Sequence, residues 1–506
     1  MATITTLPGA PRPEQRGLPF WMERTASELE EVRNAPDPDA VHDLRVALRR
    51  CRSVAAVMEE VDPHPAWSAL RKATRKLFRS LGALRDEQVM HDRIKTLAPD
   101  TDAVGMLLLA ALNSSEPGLR EIVMRGATKF DLKAWRHFAH VLRQRSRFVP
   151  AGSLAAECVA LERLEDAREL HARAMRTEKP KPWHNLRIGL KRFRYCVESL
   201  LPEQHTLWSD NLKRVQDLLG EIHDLDVLAE KVEKSDAVES EESLRLWQER
   251  ITGERQKRME TYRQLMLGKT SLWNVWRAGL PTNGRVDVAV HAKLRATRRA
   301  ADSNWRRTSQ IARIASSIFE AFRRAGASPA YENAGLQRIL AAATILHGVG
   351  NGENNEKSPQ KAACKFVQRI PLPPGWTADE WETLAVVVRY HRGAEPNEKS
   401  GPYRNLPATR QNDVRALAGV LRLARALRKS GIENGSGFRA EKSSETLILR
   451  VPGLPDDAES AVRLAKAKHM LELYLGVALI VKAAVKPDKV VALPSHKLPE
   501  FAVASE

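Results

Sequence analysis

The chain has 506 residues, 43% of them hydrophobic, which is enough for more than one packed core and excludes a chain disordered throughout. Its 81 Lys and Arg against 63 Asp and Glu leave a formal charge of +18 and a pI near 9.8, so the expected partner is a polyanion: nucleic acid, anionic lipid or inorganic polyphosphate. Four scattered cysteines, Cys51, Cys158, Cys196 and Cys364, exclude a disulfide framework and the paired spacings of zinc sites, and read as buried thiols in a reducing cytosol.

Residues 1–16 read as a disordered tail, Pro-rich and without the basic start and apolar core of a secretory signal, so a cytoplasmic chain is expected. From 17 to about 280 the pattern is helical, with few Gly or Pro. Breaks fall at Asp62-Pro63-His64-Pro65, Pro150-Ala151-Gly152, Lys179-Pro180-Lys181-Pro182 and Pro281-Thr282-Asn283-Gly284, where a helix cannot comfortably continue. They delimit two related helical sets, about 17–150 and 151–280. Within the second, 235–263 alternates in charge and is expected as a long exposed helix. Residues 281–300 are expected as a linker, and 301–440 as a second helical domain with amphipathic runs at 308–325, 336–347 and 378–392. A small α+β subdomain at 441–485 comes next, with strands at 446–451 and 477–485 around a helix at 456–475. The stretch 486–506 reads as a loose tail. The longest apolar run, around 474–481, falls far short of the roughly 20 residues that cross a bilayer, so no membrane partner is expected.

Two stretches of the first half carry one ionic pattern, His at i, Arg at i+3, Arg or Lys at i+7 and Arg at i+10: His42, Arg45, Arg49, Arg52, and His184, Arg187, Lys191, Arg194. On a helix turning about 100° per residue, these positions lie within roughly 80° of one another, one narrow cationic row. Beside each row runs an apolar flank to bury: Val41, Leu44, Leu48 and Cys51 in one copy, Trp183, Leu186, Leu190 and Phe193 in the other. The cations are therefore expected at a core boundary. A charged row on one helix is usually a solvated face. Here the row recurs, and a second segment downstream recurs with it: Ser80-Leu81-Gly82-Ala83-Leu84-Arg85-Asp86 is echoed by Leu218-Leu219-Gly220-Glu221-Ile222-His223-Asp224. The copies are offset by 142 residues at the histidines (42 to 184) and by 138 at the glycines (82 to 220), a difference one connector absorbs. Solvated faces drift freely, whereas helices aiming cations at one ligand keep their spacing, so the duplication points to a site.

The next helix adds Arg75, partnered by Lys213 in the second copy, and Arg85, partnered by His223. Arg79 is matched by Asp217, so that pair is left out. Arg50 and Arg192 point off the rows and are expected in solvent. Three His-Asp dipeptides, at His42-Asp43, His91-Asp92 and His223-Asp224, invite a metal reading, but adjacent helical residues diverge by about 100° and each pair would need further ligands. Asp43 and Asp86 fit better as caps or as partners of neighbouring arginines. No metal and no cofactor is expected.

The segments His42-Asp43-Leu44-Arg45-Val46-Ala47-Leu48-Arg49-Arg50 and His184-Asn185-Leu186-Arg187-Ile188-Gly189-Leu190-Lys191-Arg192-Phe193-Arg194-Tyr195, with Leu81-Gly82-Ala83-Leu84-Arg85-Asp86, resemble the conserved histidine α-helical domain family, CHAD, over residues 17–280. The resemblance implies a duplicated helical bundle around a basic channel, with inorganic polyphosphate as ligand. Such a polymer offers charge density and oxygen acceptors but no bases. Arg can give it two parallel hydrogen bonds and Lys a mobile point charge. His42 and His184 are expected to be partly protonated beside a polyanion, so that binding tightens as pH falls.

Residues 300–485 resemble the HD-type helical C-terminal part of exopolyphosphatase and guanosine pentaphosphate phosphatase proteins, through 311–319, 342–347, 384–392 and 421–427. The expected fold class is thus mainly α: a duplicated CHAD bundle, a second HD-like helical domain and a small α+β C-terminal subdomain. An HD phosphohydrolase needs a His-Asp pair and a later Asp to hold metal. This chain has His347-Gly348, and Arg425 where the pattern carries the later Asp. His347 and His391 are accordingly expected as packed or hydrogen-bonded residues, and no phosphatase activity is expected. Arg323, Arg324, Arg389, Arg392 and Arg404 fit either an extension of the polyanion track or a solvated surface. The leading expectation is a cytoplasmic, non-enzymatic polyphosphate binder, whose second domain serves homodimerisation or as an auxiliary surface; the sequence leaves open whether it sits on polyphosphate granules. A nucleic-acid binder is the second reading, disfavoured because only Phe193 and Tyr195 adjoin a row where stacking aromatics would be needed. A phosphohydrolase with unusual ligands is the third.

Overall fold

The computed structural model describes residues 17–35, 37–98, 102–234, 241–349, 358–397, 399 and 401–484; the tails expected at 1–16 and 486–506 lie outside them. Among the described residues the fold is mainly helical with one small sheet, as expected. The chain forms two compact units with boundaries at Trp305/Arg306, His347/Gly348 and Trp381/Glu382, so that a segment within the expected second domain belongs to the first unit.

The first unit opens with α1 (Leu18–Asn34), α2 (Pro38–Val61), α3 (Pro65–Ala73), α4 (Arg75–Leu97), α5 (Ala103–Thr128) and α6 (Leu132–Arg145). It continues with α7 (Leu154–Ala174), α8 (Pro180–Leu200), α9 (Pro202–Glu233), α10 (Glu241–Met266), α11 (Leu272–Ala278) and α12 (Gly284–Ala301). Prolines open several of these helices, among them Pro65 of the first break and Pro180 of the third. Pro38 opens α2 behind Asp37, whose carboxylate accepts from the Asp39 and Ala40 amides at 2.9 and 2.8 Å. The α2–α3 turn is held by Asp62, buried, which accepts from the Trp67 indole at 2.7 Å and from Arg145 Nε and Nη2 at 2.6 and 2.5 Å.

Helices α2, α4, α9 and α8 touch in a closed ring: α2 on α4, α4 on α9, α9 on α8 and α8 on α2. Outside it α1 packs on α2 and α7 on α8. The flanks named from sequence, Val41, Leu44, Leu48, Cys51, Trp183, Leu186, Leu190 and Phe193, are all buried in one core. Each large side chain among them contributes about 1.5–3 kcal/mol by leaving water. A second, smaller core joins Met90 and Ile94 of α4 to Leu225 and Leu228 of α9 and Trp247 and Ile251 of α10. Helix α10 therefore differs from the expected exposed helix: it buries one face.

The expected linker at 281–300 is instead mostly α12, which packs on α7 and α2. Val290 and Leu294 are buried, and the Lys293 ammonium, 3% exposed as a residue, meets both Glu162 oxygens at 2.8 and 2.6 Å. The Pro-Thr-Asn-Gly break marks the start of this helix and not the end of the packed unit. Arg50 also corrects its expectation: it is buried on the α2–α8 seam, paired with Glu198 of α8 and stacked 5.2 Å from the Trp21 ring centroid. Arg192 is exposed.

In the second unit, α13 (Trp305–Arg324) and α14 (Ala334–Leu346) precede α15 (Pro359–Arg369), which lies in the segment assigned to the first unit. Then come α16 (Ala378–Tyr390), α17 (Gly401–Arg404) and α18 (Ala408–Lys429). The sheet has the order β1 (Arg439–Lys442), β2 (Thr446–Val451), β3 (Ala478–Ala483), with α19 (Ala458–Leu475) crossing over between β2 and β3. β1 runs antiparallel to β2, Arg439 opposite Arg450, and β3 runs parallel to it, Ala478 opposite Thr446. Leu447, Leu449 and Val451 alternate inward along β2, the period-two signal that makes this strand legible in the sequence. Gly476, at φ 68°, ends α19 in the left-handed conformation and turns the chain into β3. β1, with the sequence Arg-Ala-Glu-Lys, carries no such signal and adds a strand beyond the two expected.

Candidate functional site

The two ionic rows sit on equivalent helices, His42, Arg45, Arg49 and Arg52 on α2 and His184, Arg187, Lys191 and Arg194 on α8. Lys191 reports their relation. Its ammonium is pushed from 10.5 down to about 7, first by burial, then by Arg187 on its own helix and by Arg45 and Arg49 on the other copy, with Asp224 opposing. Cations of the two copies therefore act on one another directly. Arg45 is held below its ordinary value by burial and then Arg49, with Asp86 and Tyr195 opposing and Arg85 adding. The Arg49 guanidinium lies 5.3 Å from the ring centroid of Tyr195 on α8, and that of Arg45 lies 5.5 Å from Phe78 on α4, shelves that hold the planar groups. The Nε atoms of Arg45, Arg49 and Arg187 are buried without a hydrogen-bond partner among the described residues. Buried donors left unpaired are costly, and an acceptor supplied by a ligand relieves that cost.

Helices α4 and α9 complete the set. Arg85 is the largest charged influence on His42, an exposed residue whose imidazole is held below 6.5 first by partial desolvation, with Asp43 opposing and Arg49 and Arg45 adding. In the other copy the Arg85 position is His223, whose Nδ1 lies 3.4 Å from His184 Nδ1, the rings 4.7 Å apart. Burial, then Arg187, His184 and Lys191, push His223 down to about 4, and burial, Arg187 and Lys191 lower His184. The free protein thus holds its site histidines neutral near pH 7, and the protonation expected beside a polyanion has to be induced by that polyanion. Asp86 and Asp224 occupy equivalent positions. Burial raises the Asp224 carboxyl, with Arg187, Arg93 and Lys191 opposing and Asp86 adding.

His42, Arg45, Arg49, Arg85, His184, Arg187, Lys191 and His223 are in this way drawn into one electrostatic cluster. Arg52 is not. Its Nη1 donates to the Arg71 carbonyl and the Thr74 hydroxyl, both at 2.6 Å, and its guanidinium stacks 4.9 Å from Phe78, fastening the α3–α4 junction. Arg75 is exposed at the start of α4, among the charges that act on Arg52. Lys213 is exposed on α9, lining a hollow shared with Asp210, Asp217 and Glu221, where carboxylates offset it. Arg194, one turn beyond Lys191, is half-buried. Asp43 accepts from Arg24 at 3.2 Å, the pairing expected of it, while the α2 cap is Asp37.

Residues 22–233 match the CHAD domain family and residues 297–466 match Ppx/GppA phosphatase, domain III. The chain joins a CHAD domain to a Ppx/GppA domain III. A solved structure, the crystal structure of the CHAD domain from the plant Ricinus communis, aligns at 21% identity with a TM-score of 0.34, covering 52% of this chain and 88% of that one. No curated protein matches the chain.

Within the CHAD domain, sequence reasoning missed Phe78 and Tyr195 as shelves for guanidinium groups, and the paired role of Asp86 and Asp224. The echo Leu84-Arg85-Asp86 against Ile222-His223-Asp224 carried the second signal. In the Ppx/GppA domain III, His347 and His391 are buried with rings 5.1 Å apart, and the Nδ1 of each donates to a carbonyl one turn back, Thr344 at 2.9 Å and Val388 at 2.6 Å. Among the described residues no group of three or more His, Cys, Asp or Glu side chains could hold a metal ion, and no helix is long and apolar enough to cross a membrane.

Proposed function

We propose that the CHAD domain binds inorganic polyphosphate through Arg45, Arg49, Arg187 and Lys191, flanked by His42, Arg85, His184 and His223, and that the chain acts as a binder and not as an enzyme. The observation that carries the reading is the convergence of Arg45 and Arg49 of one copy with Arg187 and Lys191 of the other, the Nε atoms of the three arginines buried without a partner among the described residues, an arrangement that depresses the Lys191 ammonium. Half-buried like charges that repel one another in this way are unfavourable alone and become favourable around a linear polyanion. The sparse aromatic content of the cluster, Phe78 and Tyr195 both engaged under arginines, favours a polymer without bases over RNA or DNA. The Ppx/GppA domain III, with His347-Gly348 and Arg425 at the positions of the metal-binding pattern, supports the non-enzymatic reading. A protein of this kind is carried to polyphosphate granules by its ligand.

The test is a titration with polyphosphates of defined length, alone and in competition with RNA and duplex DNA at equal charge concentration. Polyphosphate should bind and resist displacement. Replacing Arg45, Arg49, Arg187 and Lys191 together by Ala should abolish binding with the helical circular dichroism unchanged. Normal affinity in that variant, or displacement by nucleic acid, overturns the reading, as does phosphate release on adding Mg²⁺ or Mn²⁺.

A further inference from the structure

The second unit contains a cavity of about 260 Å³ lined by Arg307, Ile311, Arg392, Arg425, Arg428 and Lys429. Arg307 and Ile311 come from α13, Arg392 lies just past the end of α16, and the other three share one face of the end of α18. Five of the six lining residues are cations and none is acidic.

Arg425 is the group to explain. Its Nη1 is buried without a hydrogen-bond partner among the described residues. Burial, then Arg392, Arg307 and Arg422, bring its guanidinium down to about 10, with no carboxylate among these influences. Arg428, by contrast, is anchored, donating from Nε to Gln310 Oε1 at 2.8 Å. His391, which feels both Arg425 and Arg392, is buried and held well below its ordinary value, so it adds no charge. A guanidinium withdrawn from water among like charges, with a donor unpaired, is an arrangement a protein stabilises by binding an anion there.

We propose that this cavity is a second, separate site for a compact phosphoanion of one or two phosphoryl groups. At about 30 Å³ per water the space equals roughly nine waters, which suits pyrophosphate or orthophosphate. Only Ile311 is apolar, so nothing in the lining would hold a base or an acyl chain. Planar donors converging from three elements match the tetrahedral oxygens of phosphate. Arg425 stands where the metal-binding pattern has an aspartate, so the position offers an anion a fixed cation of the protein's own.

The proposal does not depend on the polyphosphate reading, and its test separates the two. Pyrophosphate is titrated calorimetrically into the full chain carrying the four alanine replacements in the CHAD domain. One equivalent should bind, and adding Arg425→Met should weaken it at least tenfold, with Arg425→Lys intermediate. Without ligand, Arg425→Met should melt no lower than its parent, since it removes an unpaired cation. Absence of binding, binding indifferent to Arg425→Met, or affinity that climbs with phosphate chain length overturns the proposal.

Discussion

Replacing or titrating Lys191 probes the proposed site most directly. In the free protein its ammonium sits at about 7, so at pH 8 only about one molecule in ten carries that proton. A polyphosphate chain laid against it offsets the repulsion from Arg187, Arg45 and Arg49 and restores a value near the ordinary 10.5. Binding at pH 8 should therefore take up about 0.9 proton at this residue. Between pH 7 and pH 9 the protonated fraction of the free protein falls from about a half to about a hundredth, so affinity should weaken about fiftyfold, or about 2.3 kcal/mol. His42, His184 and His223 are also held below their ordinary values, so they add uptake of the same sign below pH 7. The assay is calorimetry with long-chain polyphosphate in Tris and in HEPES at one pH and ionic strength; the difference in heat reports the protons exchanged. Lys191→Arg keeps the charge and should bind with little pH dependence between 7 and 9. Equal heats in the two buffers with a flat affinity over that window would refute the reasoning. The same depression has a consequence without ligand: between pH 7 and about 10.5 the unfolded chain holds a proton the folded one has lost, so this group adds stability as pH rises.

Polyphosphate affinity should fall roughly a thousandfold between about 50 and 200 mM salt for about six phosphate contacts, and an affinity insensitive to salt would contradict the site. Lys293→Met should destabilise the first unit by about 2–4 kcal/mol in urea unfolding, because the largely buried Glu162 carboxylate loses its partner. The double variant with Glu162→Leu should recover most of that loss. At Gly279 an added Cβ would come within 2.5 Å of the Trp208 indole, a rigid and buried neighbour. Gly279→Ala should therefore lower stability by about 1–3 kcal/mol, and an unchanged melting temperature would show that Trp208 yields freely.

Much of the bundle is legible in the sequence because its signals are periodic. The apolar flanks of α2 and α8 follow the helix repeat and all enter the core, and Leu447, Leu449 and Val451 follow the strand repeat. The duplicated rows are legible because two copies constrain each other. What escapes is decided by partners distant in sequence. Arg50 lies off its row and reads as solvated, but Glu198 awaits it on α8. Arg52 fits its row by angle, yet the carbonyl of Arg71 and the hydroxyl of Thr74 take up its donors. Lys213 fits the repeat and ends among carboxylates of its own helix. α12 comes after a strong break, and it packs on α7 and α2, with Lys293 pairing with Glu162 more than a hundred residues away. Angular position on a helix fixes which way a charge leaves the backbone; the neighbour it meets there depends on the tertiary fold.

The ring of α2, α4, α9 and α8 brings each helix against its own counterpart, α2 with α8 and α4 with α9, as objects related by a two-fold axis do. For the proposed polyphosphate site, that exchange presents similar cations from either side, Arg45 answering Arg187 and Arg49 answering Lys191, with His223 in place of Arg85 as the main inequality. Peptides and nucleic acids have distinguishable ends, so their two orientations present different atoms to such a receptor. A string of identical phosphates reads the same in reverse. On the proposed reading either end of such a polymer can bind first, and displacement by one repeat unit presents the same phosphate groups to the same cations, which would permit sliding without release.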